Sequence, residues 1–202
     1  SSTEDAAGGA RFRRPERSEV NEATTGLVRA SLRGIVDVEV TDTGLIPLRL
    51  PSRARAQSDS DWMWIAAEQP SGVRCAFRTA ATWIELTVET MGLFLPWIPD
   101  QERWAVFSAT VDGHPVDDAR VTGGSELHLG EPGGSRFVQG APALGRFELG
   151  GTGAEERRVD VWLPQTDRVE IRDVRADAPL RPADGVDGPR WWHYGSSISH
   201  CI

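Results

Sequence analysis

The chain contains no lysine. All 22 of its basic residues are arginine, set against 30 acidic ones. The arginine bias reads as the imprint of a GC-rich genome rather than as chemistry. The net charge of −8 argues against a surface made to attract nucleic-acid phosphates or anionic lipid. Cysteine is scarce. Cys75 and Cys201 are far apart, so a disulfide framework is not indicated. No stretch approaches the ~20 apolar residues of a membrane span. The N-terminus has no apolar core of a signal peptide, which gives the expectation of a cytoplasmic protein. The chain starts Ser-Ser without methionine, however, so export stays open. His114, His128, His193, His200 and the two cysteines show no zinc-like spacing, and no glycine loop opens a helix to cradle phosphate. Neither a metal nor an organic cofactor is expected.

What the chain does have is alternation. Residues 1–19 are small and polar and read as loosely attached, and 20–32 carry a partial helical period through Val20, Leu27, Val28 and Leu32. From Ile35 onward the period is two. Val36, Val38 and Val40 alternate with Asp37 and Glu39. Ile46, Leu48 and Leu50 flank a Pro47 that suggests a sheet edge. Val73, Cys75 and Phe77 share a face, as do Ile84, Leu86 and Val88. Phe107, Ala109 and Val111 run into Asp112-Gly113, a hairpin signal, with Val116 on the return. Leu127 and Leu129, Phe147 and Leu149, Val159, Val161 and Leu163, and Val169 and Ile171 continue the pattern.

About ten short strands between Gly, Pro and Asp turns predict a mainly β fold: antiparallel sheets packed face to face as a jelly-roll-like sandwich over 20–175. The glycine-rich region 123–153 predicts long loops. Residues 176–189, rich in Pro, Asp and Gly without a period, read as a linker.

Past the linker, Trp191-Trp192-His193-Tyr194 reads as a strand covered on both faces. It stops at Gly195, and Ser196-Ser197-Ile198-Ser199 follows as a turn. A strand that delivers a serine into a tight turn is how a nucleophilic hydroxyl is presented at a sheet's C-terminal end. Taken with Pro70–Thr79 and Val159–Pro164, this segment resembles the SGNH, or GDSL, serine hydrolases that carry an N-terminal β-sandwich. The likeness covers about residues 33–202. Ser196 stands where that family usually has Asp, and Ile198 where it usually has Leu.

The resemblance implies that residues 190–202 begin an α/β hydrolase domain. Ser197 would be the nucleophile, in a turn shaped by Gly195 and Ser196, and its own backbone N–H would be one oxyanion donor. The family's further oxyanion donors and its Asp and His are expected downstream of Ile202. The chain alone is therefore expected to be inactive, and the rest of the hydrolase domain is its expected partner. The implied substrate is a small acyl ester, such as an acetylated carbohydrate or a secondary metabolite. His193 sits about 13 Å of strand before Ser197, out of reach, and His200 has no evident orienting carboxylate.

The alternative reading is a non-catalytic carbohydrate-binding sandwich, with Ser197 in a plain turn. Trp62 and Trp64, two apart, would share one face if they lay on a strand and could stack on sugar rings. The same pair also suits a sandwich core. Trp83 and Trp162 fall on the polar faces of their strands and suggest an exposed apolar patch, one that could dock the hydrolase domain. Asp117-Asp118 and Glu155-Glu156 read as solvated loop charges.

Overall fold

A computed structural model describes residues 22–57, 61–95, 104–131 and 134–185. Helix α1 (Glu22–Ser31) leads into β1 (Leu32–Arg33), β2 (Asp37–Val40) and β3 (Leu45–Leu48). A 3-10 turn (Ser52–Gln57) precedes helix α2 (Asp61–Glu68), β4 (Arg74–Thr79) and the long β5 (Trp83–Phe94). There follow β6 (Ala105–Val111), β7 (His114–Val121), β8 (Ser125–Glu131), β9 (Gly134–Val138) and β10 (Ala143–Glu148). The last are β11 (Arg157–Trp162), β12 (Arg168–Ala176) and β13 (Arg181–Pro182).

Two sheets face each other. One has the order β1-β4-β11-β6-β7, with β13 sharing the outer edge of β4 with β1. The other runs β2-β3-β12-β5-β8-β9, with β10 also on β5. Strand β5 shows why the sequence folds this way. Ile84, Leu86, Val88 and Thr90 point inward and are buried, while Trp83, Glu85, Thr87 and Glu89 between them point outward. The inward rows of both sheets close over one core, in which Phe77, Phe107 and Phe147 are sealed from solvent. The mainly β sandwich expected from the alternation is therefore the fold. Asp112-Gly113 turns β6 into β7 with φ of 49° and 83°, the left-handed pair that a two-residue hairpin requires. The helical period before residue 32 becomes α1. It places Val28 in the core, beside Leu32 of β1, and packs on β4, β12 and β13.

Several expectations change. The sheets are not wholly antiparallel, because β8 runs parallel to the end of β5, from Met91↔Ser125 to Phe94↔His128. Region 123–153 is not a set of long loops and holds β8, β9 and β10. Two of its glycines serve close approach. A side chain on Gly124 would strike the Thr90 backbone carbonyl at 2.4 Å, and one on Gly140 would strike the Gly124 backbone at 2.2 Å. Pro47 is not on an edge strand, since β3 lies between β2 and β12. The proline is tolerated because β12 pairs with β3 only at Leu45. Asp117-Asp118 lies within β7 rather than in a loop, and Asp117 accepts the backbone N–H of Glu148 at 2.8 Å. The described part of the expected linker lies on the sandwich. Strand β13 pairs with β4, and Ala183 is buried and donates its N–H to the carbonyl of Ala76.

Candidate functional site

Gly195, Ser196 and Ser197 lie outside the described residues, as do His193 and His200. Trp62 and Trp64 fall in helix α2, not on a strand. The sheet face on which the two were expected to lie side by side is therefore not formed. Trp64 is buried with Ala67 against Ile46 and Leu48, beneath the guanidinium of Arg55 at 5.1 Å. Trp83 and Trp162 do not form one patch. They stand on the outward faces of different sheets, and each is partly covered by an arginine: Arg146 at 4.2 Å and Arg74 at 4.6 Å.

The outer face of the six-stranded sheet carries the feature best suited to binding. Along β11, Val159 and Val161 face the core, so Arg158, Asp160 and Trp162 face out. Cross-strand register sets Trp162 between Arg74 of β4 and Ser108 of β6. Ser108 is the small member of that row, and beside it opens a groove of about 440 Å³. Trp104, Val106 and Ser108 line one side, and Trp162 and the turn through Thr166 line the other. Trp104 remains 38% exposed, with Arg120 over its ring at 4.9 Å. Trp104 was not singled out by its sequence. It lies two residues before Val106 and four before Ser108, in the outward phase of the run that ends at Val111, and that spacing was the available signal.

On the β4 side of Trp162 lies an ion network. Asp160, only 6% exposed, accepts Arg74 Nε at 2.9 Å and Arg158 Nε at 2.7 Å. The hydrogen bond to Asp160 holds the Arg158 proton more firmly than usual, against the opposing effect of burial. This arrangement fixes the arginine that stacks on Trp162. The groove can therefore receive an apolar or ring-bearing group beside a fixed cation. Among the described residues no imidazole lines the groove to activate the Ser108 or Thr166 hydroxyl, and Thr166 donates to Asp167 at 2.9 Å.

A histidine–carboxylate pair that no sequence motif announced lies on the other sheet. His128 Nε2 and Glu126 Oε2 are 2.8 Å apart, two residues apart on β8 and so on one face. The ring stacks on Phe94 at 4.4 Å. Its Nδ1 accepts Arg136 at 3.2 Å, so the lone pair that a general base would use is already engaged. Cys75, sealed in the core, has its thiol pushed up to about 12 by burial, and it is no nucleophile at neutral pH. Among the described residues no three His, Cys, Asp or Glu side chains gather as a metal site.

No family model matches the chain, and no curated protein matches it. Solved structures do. The salicylyl-acyltransferase SsfX3 from a tetracycline biosynthetic pathway matches 83% of this chain at 25% identity and a TM-score of 0.57. A GDSL-like lipase from Bacteroides ovatus matches 76% at 16% identity, with a TM-score of 0.45. The acetyl xylan esterase Est2A from the rumen bacterium Butyrivibrio proteoclasticus matches 57% at 6% identity, with a TM-score of 0.32. The chain spans 42% of the acyltransferase, 40% of the lipase and 26% of the esterase. At the level these likenesses support, the described sandwich shares its fold with part of an acyltransferase, and the structures it is similar to are named as acyltransferase, lipase and esterase.

Proposed function

We propose that the chain is the N-terminal portion of an SGNH/GDSL-type serine esterase or acyltransferase. The single observation that carries this reading is the fold shared with an acyltransferase over 83% of the chain, with the sequence Tyr194-Gly195-Ser196-Ser197 following the described sandwich.

In this reading Ser197 Oγ attacks the carbonyl carbon of a small acyl ester and gives its proton to a base. The C–O π electrons move to the oxygen, where backbone N–H groups including that of Ser197 stabilise the charge. Collapse expels the alcohol, which takes up the proton, and leaves an acyl-Ser197. Water or a second alcohol then accepts the acyl group and regenerates the serine. The base and its orienting carboxylate are expected downstream of Ile202. No metal or organic cofactor enters this scheme.

A fluorophosphonate probe tests the assignment. The whole protein should gain one adduct, on Ser197, and lose both adduct and ester turnover in Ser197→Ala. An unchanged adduct in Ser197→Ala overturns the reading.

A second reading, a carbohydrate-binding sandwich without catalysis, draws on the groove between Trp104 and Trp162. It requires sugar affinity that is unchanged in Ser197→Ala and lost in Trp162→Ala.

A further inference from the structure

No ionisable side chain lines the groove beside Ser108. Its charged neighbours stand one strand further out, on β7. Register sets Asp118 opposite Ser108 and Arg120 opposite Val106. Residues opposite one another across a ladder share a face, so both look out beside the groove. A carboxylate and a guanidinium two residues apart on one face of a strand are within reach of each other. Elsewhere on the sheets this spacing closes into ion pairs: Arg158 with Asp160 at 2.7 Å, Arg146 with Glu148 at 2.9 Å and Arg175 with Asp173 at 2.8 Å. Asp118 and Arg120 do not close. Arg120 lies instead over the Trp104 ring at 4.9 Å. The Asp118 carboxylate and the Ser108 hydroxyl have no hydrogen-bond partner among the described residues. The fold therefore leaves a hydroxyl, a carboxylate and a guanidinium unspent beside the apolar surface of Trp104, Val106 and Trp162.

We propose that this corner of the groove is a saccharide site, which takes a neutral sugar of one or two rings and reads two adjacent hydroxyls with Asp118 and Arg120. The proposal rests on the second reading above and deepens it, and it holds whether or not Ser197 is a nucleophile. A sugar ring has an apolar C–H face to lay on an indole and a rim of hydroxyls. One hydroxyl donates to Asp118, its neighbour accepts from Arg120, and Ser108 serves in either sense. An aryl or alkyl group would cover these polar groups without satisfying them. Charge selects a neutral ligand. Asp118 offsets Arg120, and on the far side of Trp162 the cations Arg74 and Arg158 are offset by Asp160 and by Asp184, which lies at Arg158. An anion would lose beside Asp118 what it gained from Arg120. Size agrees, since the groove of about 440 Å³ falls among small-molecule sites of about 300–1,000 Å³. Trp104 stands four residues, about 13 Å of strand, from the row of Ser108 and Trp162, so a second ring reaches the second indole.

Calorimetric titration of the whole protein with unesterified sugars tests this and keeps ester turnover out of the measurement. The probes are cellobiose, maltose, lactose, xylobiose, glucuronate and glucosamine. At least one of the neutral disaccharides should bind. Its affinity should fall about tenfold or more in Asp118→Ala, in Arg120→Ala and in Trp162→Ala, and both charged sugars should bind more weakly. Asp118 and Arg120 are exposed, so their variants keep the core, and an unchanged thermal unfolding midpoint checks that they do. Binding that is lost in Trp162→Ala but unchanged in Asp118→Ala and Arg120→Ala overturns the proposal and leaves the second reading standing. Tighter binding of glucuronate or glucosamine does the same. No binding of any of the six sugars overturns both. A proline-rich peptide that binds while all six sugars fail would place an extended chain in the groove instead.

Discussion

Glu89 on β5 and Glu170 on β12 stand directly opposite one another across the ladder, and the Arg172 guanidinium bonds both. Two facing carboxylates repel, and a β-bulge at Arg172 brings the compensating cation to their side of the sheet. Glu89 Oε1 also accepts Ser125 Oγ at 3.0 Å and Gln139 Nε2 at 2.8 Å. Thr41 and Thr43 donate to Glu170. Burial pushes the Glu170 carboxyl up, but the two threonine hydroxyls and Arg172 outweigh it and hold the group below its ordinary range.

Removing the cation should therefore be costly in a pH-dependent way. Arg172→Gln is expected to destabilise the fold by about 2 kcal/mol at pH 7, less than a fully buried pair because all three side chains keep some exposure. Glu170 has a depressed folded pKa. Its contribution is fully present above the unfolded value of about 4.5 and is lost as pH falls through the lower folded value. The difference between the two proteins should thus shrink toward pH 3 as Glu170 protonates. Urea unfolding at pH 7 and pH 3 measures this, and an equal gap at both pH values would contradict the electrostatic account.

The Cys75 thiol gives a second expectation. A thiol pushed up to about 12 is ionised in roughly one molecule in 10⁴ at pH 8, and this one is also enclosed by the core. Iodoacetamide should alkylate Cys75 at least a hundredfold more slowly in the native protein than in urea, as read from the mass of the peptide that contains it. Comparable rates would mean that the core opens readily.

Trp64 and Trp83 should differ sharply. Trp64→Ala empties a buried site between α2 and β3 and is expected to cost about 3 kcal/mol. Trp83→Ala removes a half-exposed ring stacked under Arg146 and should cost less than about 1 kcal/mol. Thermal unfolding of the two variants compares them directly. Equal losses would mean that α2 contributes little to the fold.

These residues also show what could be read in advance. The core of β5, the β6–β7 hairpin and the inner row of β11 were legible because one apolar face alternates with one polar face. Helix α2 was not. Trp62-Met63-Trp64-Ile65 is apolar throughout and has no period to choose by, and only the step from Trp64 to Ala67 hints at a helix. The glycines at 124 and 140 looked like loop markers because the backbone they approach is distant in sequence or hidden in a turn. The parallel pairing of β5 with β8 leaves no local trace at all. At the groove, Trp162 was legible as an outward residue. Its pairing with Ser108 was not, since a cross-strand row is a property of register and not of any one strand.

Helix α1, the first element described, rests on β12 and β13, the last two. A nascent chain therefore makes α1 long before it makes β12 and β13, although β3 and β4, its other supports, come earlier. During synthesis the part of α1 that rests on β12 and β13 stays uncovered until residues near 183 have left the ribosome, so this end of the sandwich closes late. In this protein the interval of greatest risk for wrong association falls before release, and a chaperone that shields the α1 region would act at that stage.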